Sequence, residues 1–152
     1  MQLDQIDRRI LRSLQRDGRI QNIDLAKEVG LSPSPCLRRV RLLEEAGVIK
    51  RYVAVVDGAT VGLGLTVFAR IWFRSQDAES TAAFIEAIQK VPEIVECHLM
   101  VGDCDALLRI MIADLNSYWR FQADRLTRIG NVRNVKTDVP MATVKRSFEV
   151  PL

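Results

Sequence analysis

Gly30-Leu31-Ser32-Pro33-Ser34-Pro35-Cys36-Leu37-Arg38-Arg39-Val40 joins a helix stop, a helix start and an arginine-bearing helical face in one short stretch. Gly30 suits the left-handed conformation that ends a helix, Ser32 suits the cap of the next, and Pro33 suits its first turn, where no backbone donor is lost. Pro35 falls within the same first turn and need not break the helix. Ser34, Arg38 and Arg41 then follow at i, i+4 and i+7 and share one face, while Cys36, Val40 and Leu43 share another. One face packs as the other meets phosphates and bases, so the segment is predicted to be the turn and recognition helix of a helix-turn-helix. A solvated surface helix would carry the same pattern, and the flanking sequence decides between the two.

Upstream, Leu3 to Arg16 places Ile6, Ile10 and Leu14 on one stripe with Leu11 beside it, and Asp4 and Asp7 favour a helix N-terminus. Asn22 is predicted to cap a second helix carrying Leu25, Ala26 and Val29, which ends at Gly30. After Gly47 the pattern changes to the β-rich run Val48 to Val56, predicted as a wing strand leading into a linker. A winged helix-turn-helix is the economical assignment for the first third of the chain.

The chain has 152 residues, 48% hydrophobic and 27% charged, enough for one domain or two small ones. The net charge of +3 is unevenly spread. Residues 1–51 hold 11 Lys and Arg against 7 Asp and Glu, and residues 52–152 hold 11 against 12, so a nucleic-acid footprint belongs to the first third. No apolar leader opens the sequence and no apolar run is long enough to cross a bilayer, so no membrane role is predicted and the location is predicted to be cytoplasmic. Cys36, Cys97 and Cys104 form no CxxC pair and share the chain with a single histidine, His98. They are read as reduced, small hydrophobic residues, and His98 as a packed or interface residue; neither a metal site nor a cofactor is assigned.

Beyond Gly58, Gly62 and Gly64 the periodicity predicts a strand over Leu65 to Arg74, a helix over Ser80 to Lys90, and strands over Glu93 to Met100 and Cys104 to Ala113 with Gly102-Asp103 turning between them. Asp114 or Asn116 caps a further helix that carries its stripe to Ile129 and ends at Gly130. Val132 to Val139 is the last clear strand, and Met141 to Val150 is predicted to add another. The order β-α-β-β-α-β is that of a ferredoxin-like sandwich, making the whole chain α+β. Its strands read as apolar on both sides, so the sheet face without helices needs a cover, and a twofold dimer stacking sheet on sheet is the simplest one.

The chain resembles the Lrp/AsnC family, the leucine-responsive and asparagine-responsive feast/famine regulators. The matching residues are Leu3-Asp4 with Asp7 and Ile10-Leu11; Asp17-Gly18-Arg19-Ile20; Leu31 to Arg39; Leu43 to Ile49; Tyr52; Glu96-Cys97; Gly102 with Asp105 and Leu107-Leu108; Asp114; and Tyr118. The resemblance implies a winged helix-turn-helix DNA-binding domain over residues 1–51, a linker strand and hinge over 52–64, and an effector-binding and oligomerisation domain, the RAM domain, over 65–152. It further implies homodimers assembling to tetramers or octamers, with a small effector, most often an amino acid, bound where effector domains of neighbouring dimers meet. By motif, the effector loop falls on Gly102, Asp103, Cys104 and Asp105, and a polar position of the last strand falls on Thr137. Backbone groups and a hydroxyl bind a carboxylate, and Asp105 accepts from an ammonium group; the same residues could also serve only the hairpin. The family usually places an aromatic residue beside the second loop carboxylate, where this chain has Cys104 and Ala106, and Met141 to Arg146 departs from the common pattern near the C-terminus.

Double-stranded DNA is thus the predicted partner. Ser32 and Ser34 position the recognition helix on phosphates, Arg38 reads a base edge and Pro35 touches a thymine methyl. Arg39 and Arg41 are assigned to phosphates, with Lys50 and Arg51 meeting the backbone from the wing. A small enzyme is a rival reading, but the sequence offers no metal set, no nucleophile-base pair and no phosphate loop, so no catalytic residue is assigned. An architectural DNA binder that ignores small molecules is a second rival.

Overall fold

The computed structural model describes residues 2–152. The chain divides into two compact units, one containing residues up to Val55 together with Val144–Leu152, the other Val56–Thr143.

The first unit is a three-helix cluster: α1 (Gln5–Arg16), α2 (Asn22–Val29) and α3 (Pro33–Glu45). Asp4 starts α1 with a reciprocal capping box, accepting from the Asp7 amide at 2.8 Å while its own amide donates to the Asp7 carboxylate at 3.1 Å. Gly30 ends α2 at φ 77°, ψ 36°, the left-handed geometry expected of it, and the Leu31 amide donates back to Ala26 at 2.8 Å. Ile10, Leu25, Cys36 and Leu43 are at most 2% exposed, and with Leu11, Ala26, Val29 and Val40 they form the core. The predicted inner faces of all three helices are therefore the observed ones.

Three local expectations are corrected here, at Asn22, Val48 to Val56 and Met141 to Val150, while the cap position predicted for Ser32 is borne out. Asn22 does not cap α2: Gln21 occupies the cap position, and Asn22 is the first helical residue, its side-chain amide donating to the Pro33 carbonyl at 2.8 Å. Ser32 holds the cap position of α3 without a side-chain cap bond. Val48 to Val56 carries no strand; Val53, Val55 and Val56 are more than 60% exposed, and no strand among the described residues pairs with the segment. Nor does Met141 to Val150 form one. Its end instead packs within the first unit, where the Val150 amide donates to the Gln15 side chain at 2.6 Å and the Arg12 guanidinium donates to the Leu152 carbonyl at 3.0 Å.

The second unit comprises β1 (Leu65–Phe73), α4 (Ala78–Gln89), β2 (Ile94–Leu99), β3 (Ala106–Ile112), α5 (Leu115–Asp124) and β4 (Val132–Asp138). The sheet is antiparallel throughout in the order β2-β3-β1-β4, as a split βαβ requires. Val67, Ala69 and Ile71 of β1 alternate inward with Ala106, Leu108 and Ile110 of β3, in one core with Phe84 and Ile88 of α4 and Tyr118 and Phe121 of α5. Asp114, not Asn116, caps α5, accepting from the Ser117 amide at 2.7 Å.

The stripe from Tyr118 to Ile129 is not one helix. The α geometry breaks at Arg125 (φ −124°, ψ −58°), a 3-10 turn follows over Leu126–Arg128, and Leu126 is wholly buried. The opposite sheet face is mixed rather than apolar: half-buried Phe68, Trp72, Leu107 and Met111 alternate with the ion pairs Arg70–Asp138 and Arg109–Glu96, each 2.7 Å. His98 lies on this edge, largely exposed, with Nε2 3.8 Å from the Glu96 carboxylate.

Candidate DNA-reading surface and effector loop

Helix α3 buries Cys36, Val40 and Leu43 and leaves Ser34, Pro35, Leu37, Arg38 and Arg41 exposed. Its N-terminus follows the Gly30–Ser32 turn. Because Pro33 and Pro35 carry no N–H and the Cys36 amide donates to the Ser32 carbonyl, the Ser34 amide is the first-turn donor left to act with the side chains of Ser32 and Ser34. Anions favour such an end. Leu37, 39% exposed beside Arg38 and Arg41, was not singled out by the sequence because an apolar residue at helical spacing reads as core. On this face it offers an apolar contact of the kind a thymine methyl takes.

Arg39 has different partners from those the sequence suggests. Its Nη1 donates at 2.7 Å both to Asp4 and to Asp7, the latter carboxylate only 5% exposed. These bonds hold the guanidinium pKa above its ordinary value, while the Asp7 amide and then Arg39 hold the Asp4 carboxyl below its own. Arg39 is thus a clasp between the recognition helix and the cap of α1 rather than a free phosphate contact. Lys50 and Arg51 are exposed, in the segment that carries no strand.

In the second unit Gly102 (φ 153°) turns the chain between β2 and β3. Asp105 is tied on three sides: its amide donates to Ile71 at 2.9 Å, one carboxylate oxygen accepts from the Phe73 amide at 2.7 Å, and the other accepts from Gln76 at 2.7 Å. The Trp72 indole donates to the Asp103 carbonyl at 2.6 Å, and Cys104 is buried. Trp72 and Gln76 were absent from the predicted site, since nothing local in the sequence links them to a loop some thirty residues away. The loop is therefore preorganised, and the Asp105 carboxylate keeps free lone pairs beside its two donors.

Thr137 does not join this loop within one chain. It pairs with Ala69 in the β1–β4 ladder, whereas Ala106 pairs with Ile71 on the far side of β1. Its hydroxyl lies 2.7 Å from that of Tyr118, on the helix-covered face, where burial raises the tyrosine pKa. Next to the loop, Leu99 and Met100 are half exposed and Val101 is fully exposed. Among the described residues no cluster of three or more His, Cys, Asp or Glu has metal-site geometry, and no helix is long and apolar enough to cross a membrane.

Residues 3–50 match the winged helix-turn-helix DNA-binding family, and residues 66–150 match the Lrp/AsnC ligand binding domain. The chain is 43% identical over 145 residues to the leucine-responsive regulatory protein of Escherichia coli, covering 95% of this chain and 88% of that protein. Among solved structures, a transcriptional regulator of Neisseria meningitidis in complex with L-methionine superposes with a TM-score of 0.95 at 34% identity, over 99% of this chain and 97% of that one. An AsnC family regulator of Agrobacterium tumefaciens gives 0.93 at 40% identity, over 98% and 97%. With the exposed arginine face of α3 and the split βαβ unit both in place, the chain belongs to the Lrp/AsnC family of DNA-binding transcription regulators.

Proposed function

We propose that the protein regulates transcription in response to an amino acid, and that a dimer sets two α3 helices in successive major grooves, with half-sites about one helical turn or a multiple apart. The observation that carries this reading is the division of α3 into a buried Cys36/Val40/Leu43 face and an outward face of Ser34, Leu37, Arg38 and Arg41. Arg38 reads a base edge. Ser32, Ser34 and Arg41 take phosphates, Pro35 and Leu37 make apolar contacts, and Lys50 and Arg51 reach the flanking backbone. Residues 1–51 bear the DNA function, 52–64 connect, and the sheet unit from residue 65 bears effector binding and assembly.

The effector binds at Gly102–Asp105, in a cleft completed by a neighbouring dimer. Two features support this: the tethered loop with a free acceptor at Asp105, and the exposed apolar run Leu99 to Val101 beside it, which a neighbouring subunit would cover. The amino-acid class is supported by the Neisseria meningitidis regulator solved with L-methionine. Thr137 contributes through Tyr118 rather than by direct contact within the same chain. Such a regulator acts in the cytoplasm, performs no catalysis and needs no cofactor.

Selection of bound duplexes from a random-sequence pool, with and without a panel of amino acids, tests the reading. A recovered two-half-site motif whose enrichment shifts with one amino acid supports it. Recovery of no motif removes the DNA assignment, and a motif indifferent to every amino acid, with no thermal shift from any of them, removes the effector.

A further inference from the structure

The outer face of α1 is a second cationic surface that the recognition helix does not use. At 100° per residue Arg8, Arg12, Arg16 and Arg9 fall within an arc of about 100°, opposite the Ile10/Leu11/Leu14 stripe, and all four are exposed. The carboxylates of the same region, Asp4 and Asp7, are occupied by the cap and by Arg39. Among the described residues Arg8, Arg9 and Arg16 have no carboxylate within ion-pair distance, whereas Arg70, Arg109 and Arg125 each have one. Arg12 is held by the Leu152 carbonyl. Gln5, Arg8, Arg9 and Arg12 line a shallow concavity of about 250 Å³, roomy enough for a phosphate group.

We propose that this face of α1 binds the phosphate backbone of duplex DNA lying outside the recognised site. The outward faces of α1 and α3 diverge, because both helices bury their inner faces in one core. A duplex seated on α3 therefore leaves the α1 arginines for flanking DNA. The composition of the face selects among polyanions. It holds no large apolar side chain, which a membrane-lying or protein-docking helix buries, and no aromatic ring on which an unpaired base would stack. Successive arginines at i, i+4, i+8 are about 6 Å apart along the helix, a linear array suited to a charged backbone.

The test compares the chain with its Arg8→Gln/Arg9→Gln variant on two probes: a short duplex covering only a selected site, and a long random-sequence duplex. Both positions are exposed and glutamine is a good helix former, so thermal unfolding stays unchanged. On the long duplex the plot of log affinity against log salt becomes shallower by about 1 for each phosphate the variant no longer neutralises. On the short duplex affinity and slope are unchanged, and Arg8→Glu/Arg9→Glu deepens the loss on the long probe only. An unaltered slope on the long duplex overturns the proposal, as does an equal loss on both probes. Failure to select any short site would count against the α3 assignment instead, and the long-duplex arm still decides the role of α1.

Discussion

Arg38 and Arg39 are neighbours of identical chemistry with opposite fates. Arg38 is exposed with no carboxylate partner among the described residues, whereas Arg39 neutralises the buried Asp7. Arg38→Ala is expected to cost about 1–3 kcal/mol on the selected site and to relax preference at one base position, with unfolding unchanged; quantitative binding to single-base site variants checks it. Arg39→Ala leaves a buried acceptor without its donor and lowers stability by about 1–2 kcal/mol, read by urea unfolding. If the two variants gave the same phenotype, their assignments would be wrong.

Asp105 poses a similar question, because its carboxylate serves the fold before it meets any ligand. Asp105→Ala should abolish the thermal shift given by the effector and also lower the melting temperature of the free protein. Gln76→Ala removes one donor but keeps the carboxylate, so the effector shift survives a smaller drop in melting temperature. An abolished shift in both variants would mean that the loop geometry, rather than the Asp105 charge, makes the site.

At the scale of the element, caps set where helices begin. Asp77 starts α4, accepting from the Ser75 hydroxyl and, at 2.7 Å, from the Ser80 amide, and these bonds hold its pKa at about 2 against 3.8 for the ordinary carboxyl. The folded pKa lies below the unfolded one, so the stabilisation is complete above about pH 4 and is lost as the pH falls toward about 2. Thermal melts across this window should show a shallower acid limb in Asp77→Asn, which retains an acceptor but not the charge. An identical limb would assign the acid loss to other carboxylates.

Element type was mostly legible in the sequence, since a helical stripe or a strand alternation is written in neighbouring residues. Element ends were less so. The stripe of α5 continues past Arg125 in sequence, but the chain leaves α geometry there and Leu126 enters the core. Val48 to Val56 has strand composition but no strand partner among the described residues, and a strand needs that partner for its backbone bonds.

For the whole molecule, the uncovered face of the sheet is the decisive surface. Phe68, Trp72, Leu107 and Met111 lie on it, interleaved with the Arg70–Asp138 and Arg109–Glu96 ion pairs, so an interface built on this face combines apolar contacts with paired charges. A dimer that stacks these faces should sediment as such, and Leu107→Asp, placing a charge amid that face, should shift sedimentation toward the monomer. Unchanged sedimentation would move the dimer contact elsewhere.

The sequence by itself determined the order of α1–α5 and β1–β4, the inward face of each helix, the Gly30 turn and the exposed arginine face of α3, because periodicity, caps and turn residues act over a few positions. It also assigned strands to Val48 to Val56 and Met141 to Val150 that do not form. Only the tertiary structure decided that Arg39 clasps Asp7, that Asp105 is held by Phe73 and Gln76, that Thr137 faces Tyr118, and that Val150 pairs with Gln15. Those partners are fifteen or more residues apart in the chain. Which charged or polar groups meet at such separations is settled by how apolar faces pack, and packing is a property of the assembled core rather than of any short stretch.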